Sequence, residues 1–275
     1  MESYKIGKKI SVNMPSNWSE VPYWKGLKIS EGLSDVESIA LLSDRTVEEV
    51  RGSTNANDLH YFLSAFTFIK RPPRINEFPL SVKIGNERLI MPYVDEHNEF
   101  DFGEISVGQV EDMQAIIINK SKEYTKGERD LSNTEIYKIC PYVVAIFMQG
   151  LIEEYNGKEA LKLAEQIKKD MSFENVVSMG TFFAQIEQYA EWANEQMAKY
   201  KGTDKEQMAA DIAGVDNFNK AFGFYSTLDS ISSHTSLKED ELLKWSYTRF
   251  YVKVGYLSHL NKLNKDLNNA YRNLK

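Results

Sequence analysis

The sequence predicts an α+β protein that is predominantly α-helical, with a small mixed N-terminal region containing a β-hairpin and a multi-helix domain after it. Apolar residues recur at three- and four-residue spacing through most of the chain after residue 103, which is the period of an amphipathic helix. Between residues 80 and 93 the period changes to two, which is typical of a half-buried strand. We therefore predict a mixed region over residues 1–103 and a helical domain over residues 104–275.

The N-terminal region is predicted to hold one short strand and several short helices. Lys5–Asn13 alternates loosely between apolar and charged residues, which favours one edge strand. Ser19 is predicted to cap a helix with Pro22 in its first turn, where a missing N–H costs little. Further helices are predicted over Asp35–Leu42, Val47–Arg51 (with a capping box between Thr46 and Glu49) and Asp58–Ile69.

The hairpin is predicted from an alternating pattern on both sides of a turn signal. Leu80, Val82 and Ile84 alternate with polar residues, and the pattern returns over Arg88–Met91. Gly85–Asn86 lies between the two runs, and both residue types tolerate positive φ. The sequence therefore predicts a hairpin near residues 80–93.

The remainder reads as a series of amphipathic helices. Ser106 is predicted to open the first, and Ser132 with Glu135 forms a capping box for the second, which Pro141 is predicted to kink. The others are predicted over Lys158–Asp170, Ser172–Lys201, Asp204–Ser233 and from about Lys244.

Composition narrows the classes of function. The net charge of −7 gives no overall basic field of the kind that drives non-specific nucleic-acid binding. Cys140 is the single cysteine, which excludes an intramolecular disulfide and fits a reducing cytoplasm. No apolar run approaches the ~20 residues that cross a bilayer, so no membrane contact is expected. Cys140–Met148, the most apolar stretch, is predicted to be a buried helix.

No catalytic, cofactor-binding or metal site is predicted, and no cofactor is expected. The four histidines are far apart, and Cys140 precedes a proline in an apolar run, which indicates a buried, unreactive thiol. The acidic run Asp95–Asp101 lacks the ligand order of a calcium loop and favours a solvated loop. An enzyme built around Asp95 and Glu99, a small hydrolase or a nucleotide-processing enzyme, stays an open alternative.

Two groups of residues are candidates for binding. Aromatic side chains near element ends are candidates for protein interfaces, because tyrosine and tryptophan are enriched at such surfaces. The basic segment from residue 70 to 74 is a candidate contact for DNA or an acidic partner, although nucleic acid is not expected to dominate binding. The interface candidates are Trp18, Tyr23, Trp24, Tyr247, Tyr251 and Tyr256, and the basic candidates are Lys70, Arg71 and Arg74.

Three segments, taken in order, carry a resemblance to a known group of proteins. They are PSNWSEVPYWKGLKI with LHYFLSAFTFIKRPP, then VKIGNERLIMPYVDE with EISVGQVEDMQ, then GVDNFNKAFGFYSTLDSIS with KEDELLKWSYTRFYVKVGYL. The arrangement resembles tailed-bacteriophage structural and assembly proteins, including tail-assembly chaperones, of phages of gut Bacteroidetes and the crAss-like viruses. The likeness spans most of the chain and rests on packing and turn patterns, so it transfers no catalytic residue.

The resemblance implies a non-enzymatic virion component at the tail or head-to-tail connector. It implies other phage tail or neck proteins as partners, in a homo-oligomeric ring or a hetero-complex. A closed ring requires a heterologous contact between neighbouring copies. The expected location is the host cytoplasm during assembly and then the virion. The alternative is a tail-assembly chaperone that binds tail subunits and is absent from the mature particle.

Overall fold

A computed structural model of the chain confirms that the protein is predominantly α-helical. Ten α-helices lie among the described residues. The structure describes residues 2–6, 10–53, 67–73, 81–84, 87–90, 105–184, 208, 212–213 and 215–273.

The described strands form two antiparallel pairs. β1 (Glu2–Ile6) pairs with β2 (Ile10–Met14). The sequence predicts a single strand over Lys5–Asn13, but this run contains the end of β1 and most of β2, which pair with each other. β3 (Ser81–Ile84) pairs with β4 (Glu87–Ile90) in the register Ser81 to Ile90. Residues 85–86 lie outside the described residues, so the predicted hairpin turn stays a prediction.

The chain divides into two compact units. Unit 1 consists of the described parts of Met1–Tyr93 and Asp112–Gln185, and unit 2 of those of Val94–Glu111 and Ile186–Lys275. This division differs from the single boundary predicted near residue 103. The central helices pack against N-terminal elements. A change in composition along the sequence does not reveal such tertiary contacts, so it does not predict this division.

The first helical segments begin differently from the prediction. Trp18–Glu20 forms a 3-10 turn, and the Asn17 side chain accepts a hydrogen bond from the Ser19 backbone N–H at 3.0 Å. Ser19 therefore lies inside a turn that Asn17 caps, and it does not cap a longer helix. Helix α1 (Tyr23–Ser30) follows, with Pro22 at its N-cap and no capping side chain.

Three of the next six helices, α3, α4 and α5, begin at the predicted side-chain caps. Capping boxes form between Thr46 and Glu49 and between Ser132 and Glu135, as predicted. Ser106 exchanges hydrogen bonds with Gln109 at the start of α4, which begins in unit 2 and continues in unit 1. The helices are α2 (Asp35–Leu42), α3 (Val47–Ser53), α4 (Val107–Thr125), α5 (Asn133–Ile152), α6 (Gly157–Asp170) and α7 (Phe173–Ala184). Of the predicted helix Asp58–Ile69 the structure describes only the end, where Thr67–Lys70 is a 3-10 turn.

The ring of Phe173 lies at the centre of an aromatic cluster in unit 1. Its centroid is 5.1 Å from that of Trp18, 6.1 Å from Tyr23 and 5.4 Å from Tyr137. Two backbone hydrogen bonds join the same region, from Tyr23 N–H to the Met171 carbonyl and from Phe173 N–H to the Val21 carbonyl. The start of α7 is thereby fixed against the start of α1.

Helix α5 combines length with a high content of apolar residues. It has the length and composition of a membrane-spanning helix, with a mean hydropathy of 1.3 in its most apolar window. The sequence predicts a shorter apolar run because Pro141 and Gln149 interrupt it, but the helix continues through both. Most of that window is buried inside the chain, and core helices of soluble proteins meet the same criterion.

Unit 2 contains three helices after residue 214. These are α8 (Val215–Thr235), α9 (Glu239–Leu243) and α10 (Tyr247–Asn273). The predicted final helix from about Lys244 is observed as α10 with its start at Tyr247, and α9 is a separate short helix that ends at Leu243. The 27 residues of α10 make it the longest helix among the described residues.

Replacing Gly26 with alanine is expected to destabilise unit 1. A Cβ at this position would lie 2.2 Å from Cγ of Phe173, which is much closer than atoms pack. Overpacking of this kind costs ~1–3 kcal/mol, and we expect a loss of that size in the free energy of unfolding from chemical denaturation. Gly52→Ala is the control, because nothing lies within 4 Å of its Cβ. An unchanged stability of Gly26→Ala would contradict the packing described for Phe173.

Replacing Glu135 with glutamine is expected to weaken the acid sensitivity of the fold. Hydrogen bonds from Arg129, and then from Ser132, lower the pKa of the Glu135 carboxyl to about 2 from an ordinary value of 4.5. A lowered folded-state pKa stabilises the fold above pH ~4.5, and this contribution is lost as the pH falls toward ~2. Glutamine can keep the capping box but does not titrate.

The measurement is the melting temperature between pH 5 and pH 2.5. Wild type is expected to lose more stability over this interval than Glu135→Gln. The exposed neighbour Glu128 supplies the control Glu128→Gln, which should follow wild type. Parallel curves for all three proteins would show that the Arg129 contact does not lower the pKa of Glu135.

Candidate protein interface

The start of α10 is fixed in unit 2 by paired backbone hydrogen bonds. The Tyr247 N–H donates to the Ile105 carbonyl at 2.8 Å, and the Val107 N–H donates to the Trp245 carbonyl at 2.9 Å. Ser106 and Ser246 form an isolated antiparallel bridge at the same place. The first turns of α4 and α10 therefore begin side by side.

One face of α10 packs into the core of unit 2. Tyr247, Phe250 and Leu257 are buried, and the ring centroids of Tyr247 and Tyr251 are 4.5 Å apart. Phe250 also lies 6.3 Å from Phe224 of α8, centroid to centroid. The buried residues of this core are Val107, Leu228, Ile231, Leu242, Phe250 and Leu257. This face holds the first half of the helix in place.

A second face of α10 carries apolar side chains that the chain leaves open to solvent. At 3.6 residues per turn they fall within an arc of about 100° that lies away from the buried face. We call this set the α10 stripe. Its exposed members are Val252 at 68%, Tyr256 at 57%, Leu263 at 55%, Leu267 at 47% and Tyr271 at 67%, and Leu260 is half-buried.

The large apolar residues in the second half of α10 lie on this stripe alone. None of the residues 258–272 is buried. Between Asn261 and Asn273 every position off the stripe except Ala270 is polar, and asparagine, a weak helix former, occupies several of them. A helical segment of this length without tertiary packing is marginal in water. Its stability therefore depends on what covers the stripe.

Helix α10 is basic in an acidic protein. It contains five Lys or Arg residues and one acidic residue, Asp266, while the whole chain carries −7. Two of the cations lie on aromatic rings: the Arg249 guanidinium is 3.9 Å from the Trp245 centroid, and Lys253 Nζ is 4.9 Å from that of Tyr256. The positive charges are thus held beside the first half of the stripe.

Three of the predicted interface residues belong to the interior. Trp18, Tyr23 and Tyr247 are buried, so their side chains are not exposed to a partner. Trp18 Nε1–H donates to the Arg71 carbonyl at 2.9 Å, and the Tyr23 hydroxyl donates to the Tyr137 carbonyl at 2.8 Å. Because the polar atoms of Trp18 and Tyr23 form hydrogen bonds inside the chain, these two side chains can belong to the core although they lie near element ends.

The other three predicted aromatics reach the surface to different degrees. Trp24 is exposed, with Lys25 and Lys28 each 5.5 Å from its ring centroid. Tyr251 is half-buried beside Tyr247. Tyr256 is a member of the stripe. Trp24 belongs to unit 1 and Tyr256 to unit 2.

The basic candidates do not form a cluster that the structure describes. Lys70 forms an ion pair with Asp35 at 3.5 Å, and Arg71 is exposed. Arg74 lies outside the described residues. Binding of DNA or of an acidic partner by these residues stays a prediction.

The described part of the chain contains one buried thiol and no cluster of metal-binding side chains. Burial raises the pKa of the Cys140 thiol to about 12, which favours the unreactive protonated form. Among the described residues no group of three His, Cys, Asp or Glu could hold a metal ion. The acidic run Asp95–Asp101 lies outside them, so the enzyme alternative built on it stays untested.

Five stripe residues are not among the predicted interface residues. One is Val252, and the other four lie beyond Tyr256, the last predicted interface residue: Leu260, Leu263, Leu267 and Tyr271. The signal that could have found them is the spacing from Val252 to Tyr271, which runs 4, 4, 3, 4 and 4 residues. Such spacing marks one helix face.

The biological setting of the stripe rests on the resemblance to phage tail and neck proteins, which stays a prediction. The contacts described above are packing contacts, and packing alone does not specify a function. No protein-family model, no curated protein and no solved structure matches the chain.

Proposed function

We propose that this protein acts as a non-enzymatic building block that binds another protein chain through the α10 stripe. The observation that supports this proposal is the exposure of five large apolar side chains on one helix face. Contiguous exposed apolar surface on a folded protein commonly marks an interaction site. Single exposed leucines are ordinary, but here they share one face over about 29 Å of helix.

The width of the stripe favours a protein partner. An apolar arc of about 100° matches the face that a helix buries against other protein elements. Two tyrosines, Tyr256 and Tyr271, lie near its two ends, and tyrosine is enriched at the centres of protein interfaces. A partner that covers the stripe would also supply the packing that the second half of α10 lacks.

The setting that we propose is a tailed-phage particle, at the tail or at the head-to-tail connector. This part rests on the sequence resemblance. A ring of copies also requires a heterologous contact between neighbouring subunits, for which the exposed region around Trp24 is a candidate. The alternative, a tail-assembly chaperone, would use the same stripe to hold a tail subunit before assembly.

Mass spectrometry of purified phage particles and of the infected-cell lysate tests this proposal. We expect the protein in particles at a fixed copy number relative to the major capsid protein. Presence in the lysate together with absence from particles would favour the chaperone instead. Production outside any phage infection would contradict both.

A charge variant tests whether the protein enters particles through the stripe. Leu263→Glu with Leu267→Glu is expected to reduce incorporation into particles at least tenfold, because two carboxylates would have to be buried in the contact. The matched control is Asn261→Glu with Asn268→Glu, which adds the same charge to an exposed face of the same helix. Equal incorporation of both variants would exclude the stripe as the assembly surface.

A further inference from the structure

We propose that the α10 stripe binds the α10 stripe of a second copy of this chain, with the two helices antiparallel. In this register Val252 lies opposite Tyr271 of the other copy, Tyr256 opposite Leu267, and Leu260 opposite Leu263. The inference rests on the proposed function, since it names the chain that covers the stripe.

The first argument is the symmetry of the spacing. The intervals 4, 4, 3, 4 and 4 read the same from either end, with the midpoint between Asn261 and Lys262. An antiparallel two-fold pairing about this midpoint places every stripe residue opposite another stripe residue. It also pairs a small side chain with a large one at the ends, Val252 with Tyr271. A face with its three-residue interval at any other place would not have this property.

The second argument is the period of the stripe. Val252 and Leu263, Tyr256 and Leu267, and Leu260 and Tyr271 are each 11 residues apart. Eleven residues make three turns at 3.67 residues per turn, which is close to the 3.6 of an unstrained helix. The stripe therefore runs nearly parallel to the helix axis, and two straight helices can stay in contact along its full length of about 29 Å.

The third argument is the charge beside the stripe. His259 and Asp266 lie along the same edge of the stripe, and a two-fold antiparallel pairing keeps equal edges together. His259 of one copy then lies within about one turn of Asp266 of the other, twice by symmetry. His259 Nδ1 already contacts the Gly255 carbonyl at 2.9 Å, so a hydrogen bond to the Asp266 carboxylate would come from Nε2 of the protonated ring, in which both nitrogens donate.

The same charges disfavour a parallel pairing. On the opposite edge Lys253 comes beside Tyr271 of the other copy when the helices are antiparallel. The two Lys253 residues are then about 17 positions apart along the axis, or about 25 Å, which exceeds the Debye length of about 8 Å at physiological salt. A parallel two-fold pairing would bring unequal edges together, so His259 of one copy and Asp266 of the other would lie on opposite sides of the contact and would not attract each other.

Other occupants fit the stripe less well. A DNA backbone would contact cations and leave the apolar side chains in water. A membrane surface favours a helix with lysine and arginine across its polar face, whereas asparagine is as frequent as the cations on that face of α10. A self-complementary spacing has no role in either case.

Light scattering after size exclusion tests the pairing with the purified chain alone. We expect twice the monomer mass of 31.6 kDa at tens of micromolar protein. Leu263→Glu with Leu267→Glu is expected to weaken the dimer at least tenfold, while the control Asn261→Glu with Asn268→Glu stays dimeric. A monomeric wild type, or a dimer that the stripe variant leaves intact, would overturn the proposal. Binding of the monomer to anionic vesicles through the stripe would overturn it as well.

Disulfide trapping tests the register. The one native thiol, Cys140, is buried, so engineered cysteines react without competition. A mixture of Val252→Cys and Tyr271→Cys proteins is expected to form the mixed disulfide under mild oxidation, because the two positions lie opposite each other. Val252→Cys alone should form none, since its copies are about 29 Å apart in this register. The reverse result would demonstrate a parallel pair and exclude our arrangement.

These outcomes separate the pairing from the proposed function. If the purified chain is monomeric but the stripe variant is lost from particles, the self-pairing is wrong and another protein covers the stripe. If the dimer forms and the stripe variant still enters particles, the pairing is right and the stripe is not the assembly surface.

Discussion

The contact between Phe173 and Gly26 is the constraint on which the rest of unit 1 depends. A glycine at this place in α1 lets the ring approach the helix backbone, and the Trp18, Tyr23 and Tyr137 rings then close around it. Because Phe173 begins α7, this contact joins the N-terminal segment to the central helices. The same kind of approach recurs where Gly180 of α7 meets Cys140 of α5. Residues far apart in sequence thus form one compact unit.

Unit 2 is organised around a helix that has two apolar faces. Phe250 and Leu257 fix the first half of α10 in the core, while the stripe begins on the other side of the same turns. Because the inner contacts hold the helix, the stripe has a defined orientation before any partner binds. Preorganisation of this kind reduces the entropy lost on association. The second half of the helix lacks such inner contacts, so a partner that covers the stripe would add to its stability.

Local signals predict several of the helix starts, whereas much of the rest depends on tertiary contacts. The capping boxes at Thr46 and Ser132 form as predicted because both partners are within one turn of sequence. The domain boundary could not be predicted, since it depends on which helix buries its face against which. The sequence predicts Trp18 and Tyr23 to be interface residues, because an amphipathic ring suits a protein interface as well as it suits the core. Of the stripe, aromatic content indicated only Tyr256, whereas the symmetric spacing specifies the whole face.

The symmetric spacing of the stripe limits the size of the assembly that the stripe can form. A contact that uses one patch on both participants is exhausted when two copies have met, so added protein makes more pairs and never a growing filament. A long apolar helix face would otherwise be a hazard, because an unsymmetric face can recruit copies without end. In a larger particle such a pair would enter as a preassembled unit, and the stripe would fix an even number of copies.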